Sequence, residues 1–249
     1  MNIGLYQSAS ALSALERWQD SVAQNITSSQ TAGFRKRTIN FSTQSAGELR
    51  ADPRRPGHAD TSMPMLFPKV NSGINFNTGE TQPTGRDLDV AIQGEGFFEV
   101  QMPDGSKAYT RAGEFRLRND RTLVNSSNHE VMSEGGSPIT LVPGGGSLVI
   151  NRDGSIFQGE TSLGRLSIQK FANPAVLVPV KDGYFKVPPG VEGERVDKPE
   201  LMQGYLENAN VTALREMVDL VLISRAYEAN QKIISTVDQQ MQKTLEALG

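Results

Sequence analysis

The chain has 249 residues, 37% apolar and 6% aromatic, with 24 glycines, a mean hydropathy of −0.39 and a net charge of −3. That balance gives no global pull toward nucleic acid or an anionic membrane, and no apolar run is long enough to span a bilayer. The absence of cysteine excludes disulfides, thiolate metal sites and cysteine nucleophiles.

In chain order, the N-terminal stretch MNIGLYQSASALSALERWQD lacks a basic n-region and an unbroken apolar core, so it does not read as a cleavable signal peptide. Leu5, Leu12, Leu15, Val22 and Ile26 recur at a 3-4 spacing, with Ser8 and Gln19 as polar members, which predicts a helix over 3–28. Gly33 ends the pattern, Phe34 reads as an anchor, and Arg35, Lys36 and Arg37 read as a solvated basic cluster. Residues 38–84 are polar, hold no period and contain scattered prolines (Pro53, Pro56, Pro64, Pro68). We read 35–85 as an extended connector, with strands near 65–70 and 73–76.

From Asp87 the signal becomes β. Short apolar, β-favouring runs fall at 88–92, 97–102, 107–110, 115–117, 123–124, 131–132, 139–142, 148–150, 156–157, 165–171, 176–180, 184–187 and 201–206, separated by turn residues such as Asp104-Gly105 and Asp153-Gly154. Short strands at such spacing predict a sandwich or open barrel over 86–207.

Residues 211–248 contain no Gly and no Pro. Leu220, Ile223, Tyr227, Ile234, Val237, Met241 and Leu248 form an apolar seam, with Asn230 and Thr244 as polar members. A helix of that span is about 57 Å long, against a radius of gyration of about 18 Å for a compact globule of this length. Such a helix needs partners, and the matching seams at the two ends predict antiparallel pairing of the terminal helices. Asn230 in that seam predicts a role in register, with Gln19 as its candidate partner. The fold class is therefore α+β: long N- and C-terminal helices (1–34 and 208–249) pairing as a coiled-coil-like domain, with a central all-β domain inserted between them.

No constellation reads as an active site, and no cofactor or metal is called for. His58 and His129 lie in turn-rich sequence without a spaced ligand partner, and read as exposed. Gly94-Glu-Gly96 lacks the third glycine of a dinucleotide loop and runs into a strand. Gly144-Gly-Gly146 has no Lys-Ser/Thr. Asp87 and Asp89 share a strand face, the pattern of a solvated edge as often as of a carboxylate pair. Three Asn-x-Ser/Thr triplets, at Asn25, Asn125 and Asn210, carry little weight without a secretory signal.

Three stretches resemble a known family. The first is Ala11-Leu-Ser-Ala-Leu15 with Asn25-Ile26 and Thr31-Ala-Gly33-Phe34-Arg35. The second is Asp87 to Phe98 with Gly94, Gly96 and Phe97, then Asp104-Gly105 and Tyr109-Thr110-Arg111-Ala-Gly113-Glu-Phe115. The third is Gln203-Gly204-Tyr-Leu206-Glu207-Asn-Ala-Asn210-Val211, then Glu216-Met217-Val218 and Arg225-Ala-Tyr227-Glu228-Ala-Asn230. In this order they are similar to the axial proteins of the bacterial flagellum, the rod group that also includes the hook protein. Two family glycines are missing, at Asp120-Arg121 and near Asn128. Gly164-Arg-Leu166 and Gly183-Tyr-Phe185 lean toward the proximal over the distal rod protein.

The resemblance implies a structural, non-enzymatic subunit of the basal-body rod, with the helices as an inner layer and the β body outside. It implies copies of itself and other rod and hook axial proteins as partners, and delivery by the flagellar export apparatus without a cleaved signal peptide. It implies neither nucleic acid nor membrane insertion. The rival reading is a secreted β-sandwich binding module with helical tails.

Overall fold

The computed structural model describes residues 3–49 and 63–247, with side chains described for 5–45 and 66–247. His58, Pro53, Pro56 and Leu248 lie outside the described residues. Two helices flank a β-rich region, so the class is α+β: α1 spans Ile3–Thr27 and α2 spans Ala213–Glu246. The chain divides into two compact units. One holds the described residues within Met1–Ile26, Arg37–Gly73 and Ala213–Gly249; the other holds Thr27–Lys36 and Ile74–Thr212.

In the first unit, Leu15, Val22 and Ile223 form a buried cluster against which Trp18, Ile26, Leu220, Ala226 and Tyr227 pack. These positions are 3 or 4 apart on each helix, so they occupy one face of each. α2 carries Glu216 in its first turn and Lys243 in its last, the signs that its dipole favours.

The stretch read as an extended connector contains a strand, Arg37–Leu49, paired with a second, Met63–Ile74, as a two-stranded sheet. Gly73–Ile74 closes the second strand, and Asn75 and Phe76 lie beyond it. None of the side chains described in either strand is buried. Without a buried face nothing demands apolar alternation, so no period shows in the sequence. Pro64 and Pro68 fit this sheet because each of its strands has an unpaired side that needs no N–H.

In the second unit, Phe97–Gln101 is the central strand. One edge pairs with Lys107–Thr110; the other is shared, Phe97 and Phe98 pairing with Ile168–Lys170, and Val100 and Gln101 with Glu130–Val131. The sheet continues through Leu123–Asn125 to Phe115–Leu117 on one side, and through Tyr184–Lys186 to Val178–Pro179 on the other. A three-stranded sheet joins Leu148–Ile150, Ser155–Gln158 and Thr161–Arg165, and Glu200–Gln203 pairs with Val90–Gln93. Phe98, Phe115, Leu123, Ile139, Ile156 and Leu201, drawn from several of these sheets and the segment between them, meet in one core.

Four expected strands differ; the run 165–171 breaks at Ser167, so Arg165 ends one strand and Ile168–Lys170 forms the next. Residues 139–142, flanked by Pro138 and Pro143, make only a bridge from Thr140 to Thr122, while Ile139 and Leu141 fill the core. At 176–180 the chain first turns through a 3-10 helix, Pro174–Val176. The Asn173 side chain accepts from the Ala175 amide there (3.1 Å), leaving a strand of only Val178–Pro179. The run 201–206 is two strands, broken at Gly204 with φ +79°, and the second, Tyr205–Glu207, pairs with Thr81–Pro83. Thr161–Arg165, Thr81–Pro83 and Glu194–Arg195 are polar strands that apolar patterning does not reveal.

The two missing family glycines leave a visible mark. Arg121 and Asn128 both adopt positive φ (65° and 66°), and their turns close through Arg121 N–H to Arg118 O (2.8 Å) and Asn128 N–H to Asn125 O (3.0 Å). The hairpins form without glycine, at the cost of a left-handed backbone on a side-chain-bearing residue.

Candidate functional site

The family-like residues, scattered along the sequence, converge at one buried node in the second unit. Gly33 N–H donates to Glu207 O (2.7 Å) and Asn210 N–H to Phe34 O (3.3 Å). The Asn210 side chain accepts from Lys36 N–H (2.6 Å) and donates to Asn75 O (2.8 Å) and Asn77 O (2.7 Å). The segment after α1 is thereby tied to the segment before α2. Gly33 has φ +66°, and a Cβ there would fall 2.3 Å from the Arg111 carbonyl carbon, so both conformation and space require glycine.

At the centre of the node, Arg35 Nη1 lies 2.5 Å from Glu207 Oε1, and Arg111 Nη1 lies 3.4 Å from Glu207 Oε2. The side chains of all three are at most 4% exposed. Glu207 Oε1 also accepts from Gly79 N–H (2.8 Å). Arg35 donates to Asn77 O (2.8 Å), and Arg111 to Ile92 O (3.0 Å) and Gly94 O. The Arg111 guanidinium stands 5.6 Å over the Phe97 ring. Burial pulls the Arg111 pKa down to about 10; Glu207 opposes that, Arg35 adds to it and Glu95 opposes it. Two cations thus share one carboxylate, and Arg35 Nε and Arg111 Nε make no hydrogen bond. The expected solvated basic cluster is corrected here: Arg35 is 2% exposed, because its carboxylate partner comes from 172 residues away. Sequence reasoning missed Asn77 and Gly79, and it quoted Arg35 as a family-like position without its buried role; the only local signal was the basic residue following Gly33-Phe34.

The other family positions serve the same body. Gly113 would set a Cβ 1.7 Å from Val90 O. Gly94 and Gly96 take positive φ at the turn into Phe97. Phe97 packs with Phe171, Leu177 and Phe185, Phe98 meets Phe115 edge-on at 5.1 Å, and Tyr109 meets Phe171 at 5.0 Å. Thr110 Oγ1 accepts from Ala112 N–H (3.1 Å).

In the helical unit, the buried Asn25 side chain donates to Arg37 O (2.9 Å), accepts from Arg37 N–H (2.8 Å), and donates to the buried Glu216 Oε2 (2.8 Å). It pairs with both backbone groups of Arg37 as a neighbouring strand would, capping the first rung of the two-stranded sheet. Glu216 is one of the family-like positions, but its contact with Asn25 shows only in this geometry. Of the expected seam, Leu15, Val22 and Ile223 are buried, while Leu5, Leu12, Ile26, Leu220, Tyr227, Ile234 and Val237 are half-buried; Gln19 and Met241 are exposed, as is the family-like Glu228. Asn230 has a different partner from the one expected: its side chain donates to Ala226 O of its own helix (3.0 Å).

Asp89 is buried and accepts from Thr84 Oγ1 (2.7 Å), whereas Asp87 is exposed, so the two do not act as a carboxylate pair and Asp89 is not on a solvated edge. His129 is half-buried rather than exposed, 4.9 Å edge-on to Tyr184. Among the described residues, no group of His, Asp or Glu side chains could hold a metal ion, and no helix is long and apolar enough to cross a membrane.

Two family profiles match the chain: the flagellar hook protein FlgE/F/G D1 domain over residues 91–158, and the flagellar basal body rod FlgEFG protein C-terminal region over 202–247. Similar full-length relatives include the flagellar basal-body rod protein FlgF of Caulobacter vibrioides, 30% identical over 100% of this chain and 99% of its own. FlgF of Rhizobium meliloti is 31% identical over 100% and 99%. The rod protein FlgG of Borreliella burgdorferi is 32% identical over 94% of each chain. The node residues Arg111 and Glu207 fall respectively inside the first and second matched regions.

Proposed function

The chain belongs to the flagellar basal-body rod protein family, and from that premise we propose that it is a structural subunit of the rod, polymerising through its terminal helices into a shaft that transmits torque by packing. It works in the basal body beside copies of itself and other rod and hook axial proteins, after delivery by the export apparatus without a cleaved signal. The helices (1–34 and 208–249) pair as a coiled-coil-like inner layer, and the β body (86–207) is the sandwich-like outer layer. It performs no chemistry.

The observation that carries this reading is a second apolar face on α2. Leu214, Met217, Val218, Val221 and Leu222 are each at least half exposed, while Ile223 is fully buried. They recur at 3-4 spacing, on the side away from Ile223. An exposed apolar stripe on a helix that already buries its other face calls for a further partner, and heterologous contacts of one repeated surface generate helical tubes.

The test is Val221→Glu in purified protein and in cells. The side chain is exposed in the single chain, so stability should stay within about 0.5 kcal/mol, while rod assembly and swimming are lost. Intact rods and normal swimming would overturn the reading.

A further inference from the structure

Among the described residues, Glu207 is the one carboxylate in direct contact with two buried guanidiniums, and it sits at the end of the last strand of the body, Tyr205–Glu207. Its partners come much earlier, Arg35 ahead of the body and Arg111 inside it. We propose that Glu207 is a folding latch: the body cannot close over Arg35 and Arg111 until the chain through residue 207 is present.

The physical basis is the cost of burying like charges. With Glu207 absent, closing the node would bring two desolvated cations together with no counter-charge in contact, the arrangement that low-dielectric interiors penalise most. Even when closed, the node leaves Arg35 Nε and Arg111 Nε without hydrogen bonds, so little surplus is available to tolerate a missing partner. Closure also needs long loops: Arg35 to Glu207 spans 172 positions and Gly79 to Glu207 spans 128. Contacts of that separation form only after their loop-closure entropy has been met. A partly made or partly delivered chain therefore stays open. That state suits a subunit threaded through an export channel, and in this use alone the latch rests on the reading above. The folding claim itself stands on the contacts.

The test is refolding of the full chain from denaturant, followed by the circular dichroism of the β strands and by protease resistance of the body. Glu207→Gln keeps an oxygen for the Gly79 amide but leaves the node with two cations and no anion. It should slow refolding at least tenfold with less effect on unfolding, the signature of an interaction made in the transition state. Arg35→Met/Glu207→Gln returns the node to its original single net positive charge, and should refold within about threefold of the parent. Leu201→Ala, which removes core volume near the same end of the body, should chiefly speed unfolding. The latch is overturned if Glu207→Gln refolds at the parent rate, or if the double variant refolds as slowly as Glu207→Gln. Should Glu207→Gln fail to fold at all, the double variant decides: folding supports the latch, and failure overturns it. None of these readouts depends on rod assembly, so loss of the latch and loss of the subunit reading are separable.

Discussion

At the scale of single residues, the sharpest feature is where glycine is absent. Arg121 holds φ 65° with an exposed side chain. The left-handed conformation costs an ordinary L-residue about 1–2 kcal/mol, while glycine adds about 0.5–1 kcal/mol of unfolded-state entropy. Arg121→Gly should therefore raise stability, by up to about 1.5 kcal/mol. Asn128→Gly should change it by less than about 0.5 kcal/mol, since asparagine already tolerates this backbone. Urea midpoints at unchanged slope would show both; a destabilised Arg121→Gly refutes the strain argument. His129 gives a pH dependence. Burial lowers its pKa, and Asp182 and Asp104 oppose the fall; its ring packs on Tyr184, and its Nδ1 makes no hydrogen bond. With the folded pKa below the unfolded one, the unfolded chain takes the proton first. The His129 contribution is thus complete above about pH 6.5, the unfolded value, and is lost progressively as pH falls from there through the folded value. The parent should lose more stability than His129→Gln between pH 7.5 and 5.5, and equal losses would contradict it. Gly33, Arg111 and Glu207 were visible in the sequence as family-like positions, but their meeting was not. Arg35 looked like one of three solvated charges because nothing local announces a carboxylate 172 positions away.

At the scale of elements, legibility follows burial. α1 and α2 were readable because each buries one face, and a buried helical face writes a 3-4 apolar spacing into the sequence. Leu148–Ile150 was readable because Leu148 and Ile150 are buried and Val149 is not. The strands Arg37–Leu49 and Met63–Ile74 bury none of their described side chains, so their pairing leaves no period to read. Thr81–Pro83 and Thr161–Arg165 failed for the same reason. Turns were legible where an Asp caps its own loop ahead of a glycine. Asp104 Oδ1 accepts from Ser106 N–H (2.9 Å) and Oγ (2.6 Å), and Asp153 repeats this at Ser155 (3.1 and 2.6 Å), each beside a glycine at positive φ. The second apolar face of α2 went unread because the seam analysis followed a single stripe, whereas a helix with two partners carries two.

At the scale of the whole chain, each unit holds its residues with very different strength. The body surrounds Phe98, Phe115, Leu123 and Ile156, all fully buried. In α2, only Glu216 and Ile223 are buried, both in its first three turns. At 1.5 Å per residue its 34 residues run about 51 Å, and from Met241 onward every described residue is exposed. Helix propensity alone seldom holds such an end in water, since most helical stability in proteins comes from packing. In a verified monomer, amide exchange should therefore be fast at the C-terminal end of α2 and slow in the strands Phe97–Gln101 and Ser155–Gln158. Local opening of α2 needs to break few buried contacts, whereas exposing those strands requires the body to unfold. Assembly should then reverse the pattern at the helix without changing it in the body, because neighbouring subunits supply the packing that the single chain lacks. Slow exchange through Glu246 in the monomer would mean that α2 is held by its own chain, and would remove the physical reason for it to seek partners.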